Sequence, residues 1–251
     1  MSLLVKILLV IFSITLAISL IMILVRRWTR FPERFRDHIQ SPPFGLFATL
    51  YAFFLGFAIV TLWNNFVTVK YNVTWEAYAL LSSYRLSRDL PNSDEFRLDL
   101  LNYVKTVLDQ EWTSMENGSM NEEANRLIES VWNRFQKLKP ADKQDNPIFV
   151  SIANSLNEAR RQRLSRGISL SGNLYQPIWV IIVFGLVTTI FSLYFMHPEQ
   201  NLIQMIFEFM VLFTLLACIY FIIDLDTPFS GLVSVATDAF REVYQSMLAL
   251  Q

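Results

Sequence analysis

Charge is scarce in this sequence. Only 17% of its 251 residues are Asp, Glu, Lys or Arg, against about 25% in an ordinary soluble domain, which excludes a typical cytosolic domain. The 21 basic and 22 acidic residues leave a net charge of -1. That balance has no basic footprint from which nucleic-acid binding could release counterions, so no nucleic-acid partner is expected. A single cysteine, Cys218, cannot close an internal disulfide, and the two histidines, His38 and His197, argue against a zinc enzyme or a cysteine/histidine hydrolase. A Gly-rich phosphate loop, a His-Glu-x-x-His pair and a nucleophile elbow are also missing. The sequence therefore does not read as an enzyme, and no cofactor is expected.

What is abundant is apolar sequence: 53% of the residues are hydrophobic and the mean hydropathy is +0.35. Four stretches hold almost no charge, at 7–25, 44–63, 177–195 and 202–223. Each is close to the roughly 20 residues that a helix needs to cross the hydrocarbon layer. The runs are continuously apolar rather than alternating, which predicts helices and not barrel strands, since a helix satisfies its own backbone groups in lipid. The partner implied is a lipid bilayer. The first run is too long for a cleavable signal and reads as a retained anchor. The last two are joined by only six residues, Met196 to Asn201, which predicts an antiparallel helical hairpin. The expected layout is 1–75 for the first two spans, 76–172 for an aqueous domain, and 173–251 for the third and fourth spans with a short terminal helix.

The stretch 76–172 carries 13 basic and 14 acidic residues. Its apolar residues recur at helical spacing, as in Phe96, Leu100, Tyr103, Val104 and Val107, or Leu127, Ile128, Val131, Trp132 and Phe135. Breaks fall at Pro91-Asn92-Ser93, Asn117-Gly118-Ser119 and from Lys139-Pro140 to Asn146-Pro147, so about four helices are predicted. No proline or glycine interrupts the chain between Gly56 and Leu90, and the second span is expected to run into the aqueous domain as one helix from Phe44 to Leu90. The fold class is thus an all-α integral membrane protein whose helical aqueous domain is continuous with the membrane helices. The arginines after the first span, Arg26, Arg27, Arg30, Arg34 and Arg36, are nearly balanced by Arg160, Arg161, Arg163 and Arg166 before the third, so charge leaves the orientation open.

Three groups of residues are candidates for function. Ala48, Ala52 and Gly56 follow at i+4 on the second span and form a stripe on which a neighbouring helix can pack closely. Phe53, Phe54 and Phe57 lie beside it and can meet lipid or narrow a pore; Asn64, with Thr61 and Asn65, can bind a partner helix or hydrate a pore mouth. Asp224 and Asp226 end the fourth span and can bind a hard cation or cap a helix. Glu208 is expected to snorkel to the membrane surface.

Ordered motifs run along most of the chain: Val25-Arg26-Arg27, Pro32-Glu33-Arg34, Leu50-Tyr51-Ala52, Trp63-Asn64-Asn65-Phe66, Tyr84-Arg85-Leu86, Glu111-Trp112, Ala159-Arg160, Arg163-Leu164 and Leu225-Asp226-Thr227-Pro228-Phe229-Ser230-Gly231. This pattern resembles the bestrophin-like family of bacterial membrane proteins, itself distantly similar to the bestrophin channels. The resemblance implies four spans, a helical domain between the second and third, residence in the bacterial inner membrane, and a homo-oligomer around a central axis. It also implies a pore for inorganic ions lined by the second span, with Phe53, Phe54 and Phe57 as the constriction and Asn64 nearby. Pro228-Phe229-Ser230-Gly231 departs from the Pro-Phe-Gly of bestrophins, and Asp224 and Asp226 precede it rather than follow it, which weakens a calcium site there. The other reading is a non-conducting membrane scaffold or sensor whose helical domain binds a protein partner.

Overall fold

The computed structural model describes residues 3–28, 42–138, 146–172, 174–196 and 202–251. Arg30, Arg34, Arg36 and His38 after the first span, the connection from His197 to Asn201, and the break from Lys139 to Asp145 lie outside them. The described residues are helical, with no strand among them. In chain order the helices are α1 (Leu3–Trp28), α2 (Pro42–Ser87), α3 (Asp94–Thr106), a π-helical turn (Val107–Glu111), α4 (Trp112–Glu116), α5 (Glu122–Lys137), α6 (Asn146–Ile168), α7 (Gln176–Met196), α8 (Leu202–Asp226) and α9 (Asp238–Ala249). The protein is an all-α membrane protein with four spanning helices. The helical runs that contain α1, α2, α7 and α8 each hold an apolar window long enough to cross a bilayer.

The chain divides into two compact units. The first comprises Met1–Trp63 and Leu174–Asp226, the second Asn64–Asn173 and Thr227–Gln251. In the first, α1 packs on α8, and α8 on α7. The hydroxyls of Thr15, Thr188, Thr189, Ser192 and Thr214 donate to carbonyls four residues back at 2.7–2.9 Å, so their polar groups do not face lipid unpaired. No more than 22% of any apolar window is buried inside the chain. The remaining apolar surface requires lipid tails or further copies of the chain.

Tyr51 of α2 is 7% exposed and its phenol donates to the carbonyl of Ile182 on α7 at 2.8 Å. A Cβ built at Gly185 would lie 2.1 Å from the Tyr51 ring, so only glycine admits the ring there. The close approach within the chain is therefore at Gly185.

In the second unit α3 packs on both α5 and α9. α2 ends at Ser87, where the expected helix ran to Leu90. Arg88, Asp89 and Leu90 instead make tight turns to the carbonyls three residues back, because Pro91 disfavours helical backbone in the residue before it. Ser93 starts α3 without capping it; its hydroxyl donates to the carbonyl of Ser87. α4 closes with Gly118 at φ 78°, Gly118 N–H donating to Met115 and Ser119 N–H to Ser114, the paired bonds of a left-handed helix end. Asn121 then caps α5, accepting from Ala124 N–H at 3.0 Å. Among the described residues of this unit the π-helical turn and a 3-10 turn at Ser169–Ser171 depart from the expected helical spacing.

Gly185→Ala should force the Tyr51 ring aside and lower stability by about 1–3 kcal/mol, the cost of overpacking a filled site. Thermal unfolding of the purified protein in detergent should show a lower midpoint for Gly185→Ala, and a smaller further loss when Tyr51→Phe is added.

Candidate functional site

α2 has two opposite faces. In the first unit Tyr51, Leu55, Ala58 and Leu62 are buried, at spacings of four, three and four. In the second unit the series continues on the same helix through Phe66, Val69, Val73, Ala77, Leu80 and Tyr84. The opposite face is bare: Phe53 is 74% exposed, Phe57 63% and Val60 57%, and Asn64 is exposed in the second unit. At about 100° per residue, Phe57 and Asn64 fall within about 40° of the line through Phe53. The helix thus aligns Phe53, Phe57 and Asn64. It does not align Phe54, which is half-buried and about 100° further round.

Ala48, Ala52 and Gly56 are exposed on the other flank. A Cβ built at Gly56 meets nothing within 4 Å, so among the described residues nothing packs against that glycine. The glycine that a neighbouring ring does use, Gly185, stands alone in an apolar run without an i+4 companion of its kind. Spacing therefore gave no signal for it. The hydroxyls of Thr49, Thr61 and Thr68 all donate to their own helix at 2.9 Å, which leaves Asn64 as the polar group of the bare line.

Asp224 and Asp226 end α8. Asp226 accepts the backbone N–H of Leu174 at 2.8 Å, and Asp224, 4% exposed, accepts from the Tyr220 hydroxyl at 3.5 Å. Among the described residues no group of three or more His, Cys, Asp or Glu side chains is placed to hold a metal. In the second unit the segment Thr227–Gly231 has a packing role. Phe229 is 3% exposed and meets the Trp112 ring edge-on at 5.9 Å, while the Trp112 indole N–H donates to Val235 at 3.3 Å.

Two charge clusters escaped sequence reasoning. In the second unit, Glu76 of α2, Glu111 of the π-helical turn and Arg166 of α6 are each 0% exposed. The Arg166 guanidinium donates to both Glu76 oxygens at 2.8 Å and lies 2.7 Å from Glu111. Arg163 donates to Glu111 at 2.7 Å and to the Tyr103 hydroxyl at 3.0 Å, and that hydroxyl donates to Glu76 at 3.0 Å. Burial, reinforced by Glu76, pushes the Tyr103 phenol well above its ordinary value, so it remains a donor. A signal was present: Glu76 falls within the stripe Val73, Ala77, Leu80, and Arg163 and Arg166 extend the buried series Ile152, Leu156, Ala159. A charge on an apolar stripe requires a buried partner.

In the first unit Arg26 donates to both carboxylate oxygens of Glu208 at 3.0 and 3.1 Å, and through Nε to the carbonyl of Tyr194 at 3.0 Å. The Glu208 side chain is 12% exposed and is paired with Arg26.

Arg166→Met removes the partner of two buried carboxylates and should cost about 3–5 kcal/mol. Adding Glu76→Gln to Arg166→Met should cost less than the sum of the two single changes. Denaturant unfolding of the four proteins of that cycle measures both quantities.

A family model described as a bestrophin-like domain matches residues 10–240. Among solved structures, the chain is similar to a single-residue variant of a bacterial bestrophin homologue from Klebsiella pneumoniae, at 14% identity, 96% of each chain and a TM-score of 0.70. The same homologue phased on zinc gives 14% identity, 96% of this chain, 97% of that one and 0.68. A variant of a protein described as a membrane protein gives 16%, 96%, 97% and 0.70. Curated proteins give no match.

Proposed function

We propose that this chain, which belongs to the bestrophin-like family through a match over residues 10–240, works as an oligomeric ion channel in which several copies of α2 surround a central axis. The observation that carries this reading is the bare line of α2. A helix whose far face is fully packed keeps Phe53 and Phe57 at 74% and 63% exposure, followed by Asn64. Lipid would also accept the two rings, and Asn64 stands just past the expected end of the span; an axis with water at that end suits both. The rings would form a constriction that gates by dewetting, and Asn64 would hydrate its mouth.

The flanks support the same arrangement. Gly56, Ala52 and Ala48 lie about 60°, 100° and 140° to one side of the Phe53 line, and Phe54 about 100° to the other. In a ring of identical copies, the Phe54 flank of one α2 meets the small-residue flank of the next, a heterologous contact that closes by rotation. No glycine or proline lies between Gly56 and Ser87, so α2 is one helix from the proposed constriction to Ser87. The bacterial inner membrane is the location this reading implies.

Purified protein in liposomes should pass ions under separately applied potassium, sodium and chloride gradients. Phe53→Ala with Phe57→Ala should raise flux several-fold by widening the constriction. Equal flux in the variant and the parent would remove these rings from the pore, and no flux from either protein would remove the channel.

A further inference from the structure

A cavity of about 210 Å³ opens on the second unit between α5 and α6, lined by Ile128, Glu129, Val131, Trp132 and Asn133 of α5 and by Leu156 and Arg160 of α6. Its floor is finished core: Val131 is 0% and Leu156 2% exposed. Its aromatic wall is braced, since Trp132 packs against Phe135 at 5.9 Å and Phe135 stacks on Phe149 at 4.4 Å. The basic residue that lines it, Arg160, differs from its neighbours on α6. Arg161 is paired with Glu158, and Arg163 and Arg166 are buried against Glu111 and Glu76. Among the described residues no carboxylate lies within ion-pairing reach of Arg160, which is exposed at the cavity.

We propose that this cavity binds a small monocarboxylate with an apolar body, its ring or branched chain between Trp132, Ile128 and Leu156 and its carboxylate on Arg160. The planar guanidinium fork matches a carboxylate with two parallel N–H donors. The cavity is smaller than the roughly 300–1,000 Å³ of drug-sized sites, which limits the ligand to about ten non-hydrogen atoms. Phosphate or sulfate would leave the apolar floor unfilled. A dicarboxylate would bring a second charge onto the apolar lining, which disfavours it. This site lies apart from the pore-lining residues, and its test does not depend on conduction.

The test uses the full chain in detergent and 3-phenylpropionate as probe, followed by isothermal titration calorimetry. Saturable binding at about 1 mM or tighter is expected for so small a ligand, with succinate giving none. Arg160→Gln should weaken binding about tenfold or more through loss of the charge-assisted bonds, Arg160→Lys should lie between, and Arg241→Gln should match the parent. Unchanged thermal midpoints for these exposed substitutions would confirm intact folds, and Trp132→Leu should weaken binding by a route independent of charge. Absence of saturable binding by the parent would overturn the site, as would Arg160→Gln binding equally well.

Discussion

Inside a bilayer a polypeptide finds no hydrogen-bond partner except itself, and the membrane part of this chain is built around that condition. It makes the apolar runs helices, and it turns hydroxyls such as those of Thr15, Thr188 and Ser192 back onto carbonyls of their own helix. It also dictates how Arg26 is held. The guanidinium is paired with Glu208 and donates to carbonyls near the C-terminal end of α7, groups that the helix itself leaves without partners. One side chain thus satisfies a buried carboxylate and a helix end, and joins α1 to both arms of the hairpin. Among the described side chains only the Ser19 hydroxyl and the Gln204 side-chain amide oxygen are buried polar atoms without a partner.

Outside the apolar runs the same requirement appears as the cluster of Glu76, Glu111, Arg163 and Arg166. Two carboxylates and two guanidiniums are held with Tyr103 out of water, and their opposite charges are matched within hydrogen-bond distance. Hydrophobic side chains of similar volume could stabilise such a core equally well. What ionic groups add is directionality. Glu76 can be satisfied by Arg166 in only one register of α2 against α6, and the π-helical turn brings Glu111 to the same point. Turns of this kind occur frequently at functional sites, and here the turn serves the ionic core.

α2 is therefore a helix with one satisfied face and one face left bare by its own chain. Tyr51, Leu55, Ala58 and Leu62 are packed, while Phe53 and Phe57 are not. Bare aromatic rings on a spanning helix are ordinary beside lipid. The carboxamide of Asn64 on their line, with three alanine or glycine positions on the flank, is the surface that the proposed ring of copies would use.

The sequence by itself determined the four spanning helices, the helical domain between the second and third, and the family. Each rests on a property that is local and additive: the length of an apolar run, the period of an apolar stripe, the order of short motifs. Phe53, Phe57 and Asn64 were named from the sequence together with Phe54; which of them share the bare face emerged from the exposure of α2. Only tertiary structure decided which partners the buried charges take, that Gly185 rather than Gly56 receives a ring, and that Arg160 stands unpaired beside a cavity while Arg161, Arg163 and Arg166 do not. Those outcomes join residues far apart in the chain, and ion pairing and close packing depend on distances in space that no local pattern encodes.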